Sequence, residues 1–273
     1  MSFEWQSIVS KSNPLVVRMS KLKDKKYRKQ ESLFRFDGIK LFLEAAKFGA
    51  PIEYIFVAES ATQRFVPAVD ETKIEAKRYI VGDDAFAKLT DESSPEGIIT
   101  VCGHLDNICE DKDYSILSNK SIDESTIVLE SIRDAGNMGT ILRSARAFGV
   151  GILVISSDCA DLYNSKTVRA AMGALFTQKI VVVDSATEAA KAIKKSGART
   201  FATALHKDSN ELGSFKLQRG DAILIGNEGH GLSTDAIEAC DGSLIIPMEA
   251  NTESLNASIA ASVCMWELYK LKQ

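Results

Sequence analysis

The chain has 273 residues, 45% of them hydrophobic and 26% charged, which excludes a disordered or fibrous protein and suits two medium-sized domains with real cores. Its formal net charge of −4 gives no overall basic excess of the kind that marks a nucleic-acid binder, and no run approaches the ~20 apolar residues needed to span a bilayer. The cysteines (Cys102, Cys109, Cys159, Cys240 and Cys264) are odd in number and form no CxxC pair, which disfavours a disulfide framework and a structural zinc site. Reduced thiols, no bound metal, no secretory leader in MSFEWQSIVSKSNP and a cytoplasmic, non-membrane protein are the expectation.

In chain order, the first feature is a basic cluster. Arg18, Lys21, Lys23, Lys25, Lys26, Arg28 and Lys29 stand against one acid, Asp24. Such a cluster tracks phosphates or forms a solvated helix face, and composition alone does not separate the two. Residues 15–50 read as helical, because Phe36, Ile39, Leu43 and Ala46 recur at helical spacing and Gly49-Ala50-Pro51 stops the pattern. Residues 52–58 (IEYIFVA) and 97–101 (GIITV) read as strands. Together these predict a small α/β domain over residues 1–106. Residues 107–123 are polar and aperiodic and read as a linker.

Residues 124–273 alternate more regularly. Strands are predicted at 126–129, 151–155, 180–183, 200–204, 222–225 and 244–246. Helices are predicted at about 138–148, 165–174, 186–196, 234–239 and 255–271. Continuous apolar strands separated by helices imply an α/β fold with a parallel sheet covered on both faces.

Three blocks in this half follow predicted strands, where ligands bind in open parallel sheets. The first is RDAGNMGTILRSARAFG, residues 133–149. Asn137 stands where an N-cap belongs, Met138, Ile141, Leu142, Ala145 and Phe148 form the apolar stripe, and Gly149 ends the helix. Thr140, Arg143 and Ala147 lie off that stripe. By itself such an arginine is a surface residue and such an asparagine a structural cap. The second block is IGNEGHGLS, residues 225–233, whose glycines let the backbone approach a ligand closely and whose one carboxylate is Glu228. It is equally a tight turn with Ser233 capping the next helix, and it lacks the Gly-Lys-Ser/Thr of a phosphate-binding loop. The third is IIPMEANTESLN, residues 245–256, in which Pro247 ends a strand and Ser254 or its neighbour caps a helix rich in small residues.

Taken together, the blocks resemble the SpoU branch of the SPOUT methyltransferases. The family's N-x-G-x-x-x-R-[ST]-A segment is matched by Asn137, Gly139, Arg143, Ser144 and Ala145. Its G-x-E-x-x-G turn is matched by Gly226, Glu228 and Gly231, and its I-P-M…S-L-N segment by Ile246, Pro247, Met248, Ser254, Leu255 and Asn256. The chain departs at Ala135, where the family often has proline; this alters loop stiffness and removes no reactive group. Residues 21–46 also resemble the L30e-like substrate-binding domain that often precedes a SpoU domain, and SPEGIITV, residues 94–101, fits that domain's end.

The resemblance implies a deep trefoil knot in a domain over residues 124–273, a homodimer through that domain, and S-adenosylmethionine (AdoMet) as methyl donor. It implies 2′-O-methylation of a ribose in RNA, with ribosomal RNA favoured over transfer RNA. It further implies Arg143, Glu228, Asn137, Ser254 and Asn256 as catalytic residues. Gly226, Asn227, Ile246, Met248, Leu255, Ala204 and Leu205 would hold AdoMet, and Arg18, Lys21, Lys25, Lys26 and Arg28 would bind RNA. Literal base catalysis by Arg143 is chemically demanding, since a guanidinium stays protonated; orienting the ribose-phosphate and stabilising a developing alkoxide is the role better suited to it. Two rivals stand beside this reading. A nicotinamide-dinucleotide enzyme is disfavoured because Gly149-Val150-Gly151 is followed by Val154 where a third glycine belongs. An RNA-binding factor with a decayed methyltransferase domain is disfavoured by the intact Arg143, Glu228 and Asn256.

Overall fold

Residues 15–50 do not form one helical stretch. In the computed structural model, which describes residues 4–204, 209–227, 229–249 and 254–273, a strand interrupts them. Asn13 caps the helix Pro14–Ser20 by accepting from the Leu15 amide, and proline at the first helical position is pre-set for the turn. The helix Lys25–Glu31 ends at Ser32, whose φ of +53° turns the chain into a strand at Leu33–Asp37. Gly38, at φ +102°, turns it out again into the helix Ile39–Lys47. Leu33, Phe34, Arg35 and Phe36 are all buried, so the strand carries no apolar-polar alternation, and burial on both faces overrode the helical spacing.

The chain divides into two units. One comprises the residues up to Leu105 together with Asp161–Phe176; the other comprises Asp106–Ala160 and Thr177–Gln273. In the first, β1 (Trp5–Ile8), β2 (Leu33–Asp37), β3 (Ile52–Ala58), β4 (Lys77–Val81) and β5 (Ile98–Gly103) form a sheet of order β1-β4-β3-β5-β2. Here β1, β4 and β3 run parallel, and β5 is antiparallel to both β3 and β2. Phe34, Phe36, Phe42 and Phe56 are fully buried in this unit.

Arg28 organises the segment Asp161–Phe176 within the same unit. Only 4% exposed, its guanidinium donates to the carbonyls of Leu22 (2.7 Å) and Lys23 (2.6 Å) and, through Nε and one terminal nitrogen, to Asp161 (3.1 and 2.6 Å). The other Asp161 oxygen accepts from the Tyr163 amide, and the Tyr163 ring packs on Phe34 and His104. Arg28, predicted as an RNA ligand, therefore has its donors engaged inside the protein. Arg18 too is committed, to Glu31 at 2.5 Å, while Lys21, Lys25 and Lys26 are exposed.

The second unit holds β6 (Ile108–Glu110), β7 (Thr126–Leu129), β8 (Ile152–Ser156), β9 (Ile180–Val183), β10 (Thr200–Thr203), β11 (Asn210–Glu211), β12 (Ala222–Ile225) and β13 (Gly242–Ile245). They form one sheet of order β11-β13-β10-β12-β7-β8-β9-β6 with parallel pairings throughout. Val128, Ile152, Val154, Val181 and Leu224 are core residues of this unit. Residues 107–123, read as a linker, carry the edge strand β6 and the helix Ser115–Ser118. Their polar composition conceals internal work: the buried Lys120 ammonium donates to the carbonyls of Ser121, Glu124 and Gly220. All five cysteines are free, and among the described residues no helix is long and apolar enough to cross a membrane.

Removing the Arg28 guanidinium leaves the Asp161 carboxylate and two carbonyls without their donor. Arg28→Ala should destabilise the protein by about 3 kcal/mol, the scale for breaking a buried ion pair. Lysine should restore only part, because it cannot fork to three acceptors. Denaturant unfolding of the variants measures both; an Arg28→Ala protein as stable as the parent would refute the role.

Candidate functional site

The three sequence blocks meet at the carboxyl ends of β7, β12 and β13. After β7 comes the helix Ala135–Ala147, whose N-cap is Asp134 and not Asn137: the Asp134 side chain accepts from the Asn137 amide at 2.7 Å. Asn137 thus lies in the first turn of the helix, since the cap position is filled three residues earlier. Met138, Ile141, Leu142 and Ala145 are buried, as the stripe predicts, and Arg143 is exposed. Among the described residues, no hydrogen bond or ion pair holds the Arg143 guanidinium.

The helix Ala257–Lys270 packs against that helix. Its N-cap is Asn256, whose Oδ1 accepts from the amide and hydroxyl of Ser258 at 2.9 and 2.6 Å. The Asn256 Nδ2 donates to Asn137 Oδ1 at 3.1 Å, which ties the third block to the first. Further along, the hydroxyls of Ser144 and Ser262 bond at 2.8 Å. Small residues such as Ala257, Ser258 and Ala261 permit this close approach.

The glycine-rich block forms a turn closed by two backbone hydrogen bonds, Asn227 N–H to Gly231 O at 3.1 Å and Gly231 N–H to Asn227 O at 2.8 Å. At Gly226 any side chain is excluded, because a Cβ there would overlap the backbone of Gly231 and Leu232. Ser233 caps the helix Thr234–Ala239, accepting from the Ala236 amide. The Asn227 side chain donates to the Ser131 carbonyl at 2.8 Å and accepts from the Gly229 amide at 2.8 Å.

Between these loops lies a cavity of about 460 Å³. Ala204, Gly226, Asn227, Ile246, Met248 and Leu255 line it, as does Ser254. Leu205 and Glu228 lie outside the described residues. Sequence reasoning did not single out Thr203, His230 or Ala260, which also line the cavity, nor Glu130, which receives Ser233. The position of Glu130 directly after a buried strand was the signal available for it. Aliphatic side chains make up most of the wall, and Thr203, Asn227 and Ser254 supply polar groups, a composition suited to a small molecule with an apolar body and a few fixed polar atoms. Arg143 is not among the lining residues. Among the described residues, no group of His, Cys, Asp or Glu could hold a metal ion.

Residues 124–266 match the model of the SpoU rRNA Methylase family. The chain belongs to that family. Residues 13–100 match a second model, the MRM3-like substrate binding domain. A curated relative, the 23S rRNA (guanosine(2553)-2′-O)-methyltransferase RlmP of Bacillus subtilis, is 28% identical over 263 residues, which span 96% of this chain and 99% of the relative. The 23S rRNA (guanosine-2′-O-)-methyltransferase RlmB of Coxiella burnetii is 26% identical over 90% of this chain and 97% of its own. The crystal structure of an AdoMet-bound rRNA methyltransferase from Sinorhizobium meliloti shares the fold, with a TM-score of 0.82, 24% identity and 97% of each chain covered. Residues of the second and third SpoU motifs line the cavity, and Asn137 of the first motif is hydrogen-bonded to Asn256 of the third.

Gly226→Ala should force the turn open at Asn227–Gly231, at a cost of about 1–3 kcal/mol for an overpacked site. Urea unfolding, with amide exchange at Gly231 as the local readout, checks it; unchanged exchange at Gly231 would show that the turn absorbs a methyl group without moving.

Proposed function

We propose that this protein transfers the methyl group of AdoMet to a ribose 2′-hydroxyl of ribosomal RNA. One observation carries the reading: residues of the second and third SpoU motifs line a single cavity, and the Asn137–Asn256 hydrogen bond ties the first motif to it. The cavity's volume lies within the roughly 300–1,000 Å³ typical of small-molecule sites. The absence of any side chain at Gly226 and the apolar side chains of Ile246, Met248 and Leu255 in the wall fit a flat adenosyl group held by backbone atoms. The names of the relatives, which act on 23S ribosomal RNA, support the choice of substrate.

Bound there, AdoMet supplies a methyl group on a positively charged sulfur, so the electrophile needs little activation. The protein's contribution is then to align the ribose oxygen, the methyl carbon and sulfur on one line and to accommodate the proton that leaves the hydroxyl. Asn137, Asn256 and Ser254 supply polar contacts at the cavity's edge. Arg143, exposed and without a partner among the described residues, presents a guanidinium to the ribose-phosphate and steadies the negative charge that develops on the 2′-oxygen. Glu228, which the motif assigns to holding Arg143 or substrate in place, lies outside the described residues. In the other unit, Lys21, Lys25 and Lys26 supply phosphate contacts, a narrower set than the sequence cluster suggests, since Arg28 is paired internally and Arg18 is engaged by Glu31 at the surface. A second copy of the chain covers the exposed Ile259 and Trp266, one heptad apart on the helix Ala257–Lys270.

Arg143→Ala should lower single-turnover methyl transfer roughly a hundredfold, the scale of losing one preorganised charge-stabilising donor. Its AdoMet affinity should be unchanged and its stability should stay within about 0.5 kcal/mol, as for a surface residue. The experiment uses ribosomal RNA from cells lacking the gene and protein whose dimeric mass is established by light scattering; a monomeric mass would remove the second copy from this reading. Near-parental methylation would end the proposed role of Arg143. Replacing Lys21, Lys25 and Lys26 together with alanine should flatten the salt dependence of RNA binding by up to roughly one unit of log–log slope per lost phosphate contact. An unchanged slope would return these lysines to an ordinary solvated face.

A further inference from the structure

Both ends of the glycine-rich turn are tied to the two residues that follow β7. At its start, Asn227 donates to the Ser131 carbonyl. At its end, the Ser233 amide donates to one oxygen of Glu130 at 2.7 Å and the Ser233 hydroxyl to the other at 2.8 Å. We propose that Glu130 is a positioning residue for the methyl donor, its carboxylate acting through Ser233 to hold the turn in the shape that binds AdoMet. The inference rests on the reading of the cavity as the donor's site.

The turn contributes Gly226, Asn227, Gly229, His230, Gly231 and Leu232 to the cavity wall. The two Asn227–Gly231 hydrogen bonds close the turn on itself, but they do not fix it to the sheet. Fixing it falls to the tethers. A carboxylate accepting two donors from one residue makes charge-assisted bonds, stronger than neutral ones and geometrically specific. Each Glu130 oxygen accepts from Ser233 and Glu130 is not among the residues lining the cavity, so it acts through the turn. The same Ser233 oxygen caps the helix Thr234–Ala239, so Glu130 also sets where turn gives way to helix; Ile237 of that helix lines the cavity.

The second tether is rooted equally firmly. Ser131 has a φ of +56°, a conformation rarely taken by a non-glycine residue. It is held there by its amide donating to Ser156 Oγ at 2.9 Å and its hydroxyl donating to Asp158 at 2.5 Å. Ser156 in turn donates to Asp158 at 2.6 Å. Burial pushes the Asp158 carboxyl up, but the hydrogen bonds from Ser131, Ser156 and Arg133 outweigh it and hold the group below its ordinary value. Strain of this kind persists where the surroundings over-determine it. A turn fixed in advance binds its ligand without a further cost of ordering, so loss of a tether weakens binding more than it slows the chemical step.

The test uses the full-length protein. Affinity for S-adenosylhomocysteine is measured by calorimetry, and KM for AdoMet and kcat are measured on the same RNA, for Glu130→Ala, Glu130→Gln, Ser233→Ala and the double variant. Glu130→Ala should raise Kd and KM roughly tenfold, the scale of one charge-assisted hydrogen bond, with kcat at saturating AdoMet changed less than about threefold. Glutamine should fall between, because its amide accepts one of the two bonds and turns its NH2 toward a donor. The double variant should lose less affinity than the sum of the two single losses, since the bond from the Ser233 hydroxyl to Glu130 is broken in both. Kd within about twofold of the parent in both Glu130→Gln and Ser233→Ala would overturn the proposal. So would a fall in kcat with KM unchanged, which would put Glu130 in the chemistry itself. These two mild variants carry the test if Glu130→Ala fails to fold. A parent protein that binds no S-adenosylhomocysteine would instead overturn the reading of the cavity, and this inference with it.

Discussion

The parallel pairing of β7 with β12 is the constraint from which the site follows. In their register Leu129 lies opposite Ile225, so both strands end at the same level in the middle of the sheet. Whatever follows one strand must therefore lie beside whatever follows the other. Neighbours of β7 on one side are β8, β9 and β6, and on the other β12, β10, β13 and β11, so the chain leaves this point in opposite directions and a crevice opens at the carboxyl ends. The turn after β12 has no room for side chains at Gly226 because the returning backbone fills that space. What remains open is the cavity.

Arginine serves opposite purposes in the two units, and the difference is one of commitment. Arg28 is desolvated, and that cost is offset only because three acceptors meet its donors. Arg143 is exposed on a helix whose other side is already packed, and among the described residues nothing engages its guanidinium. A guanidinium in that state has hydrogen-bonding capacity for an incoming anion. The same contrast divides the basic cluster, in which Arg28 is buried against Asp161 while Arg18, paired with Glu31, and Lys21, Lys25 and Lys26 are exposed.

Much of the larger unit was legible because its strands are continuous apolar runs between glycine-terminated helices. The strand Thr126–Leu129 and the helix Thr234–Ala239 stand where the pattern put them. The smaller unit was less legible. Leu33–Asp37 is buried on both faces and flanked by helices, so its apolar residues fell into helical spacing, and the signals at Ser32 and Gly38 are backbone angles that a sequence does not display. At the site, the motif residues were readable but their local duties were not always so. Asn137 looked like a cap because Asp134 stood one turn earlier than the stripe required. Glu130 and Ser131 follow a strand without any motif of their own, and their importance arises only from partners about a hundred residues later, Asn227 and Ser233. Tertiary hydrogen bonds of that span leave no local trace.

Because Asp161–Phe176 belongs with the first unit, the chain passes between the two units more than once, and no single cut separates them. Growing from its N-terminus, the first unit cannot finish when Leu105 has been made. Arg28 must wait for a partner 133 positions further on. At a synthesis rate of roughly 5–20 residues per second, that delay is on the order of ten seconds or more. During it, Arg28 lacks its carboxylate partner, and β8 is completed before the segment that closes the earlier unit arrives. The two units are thus interleaved in time as well as in sequence: all five strands of the first sheet have been made, but its unit still lacks Asp161–Phe176 while the larger sheet is begun.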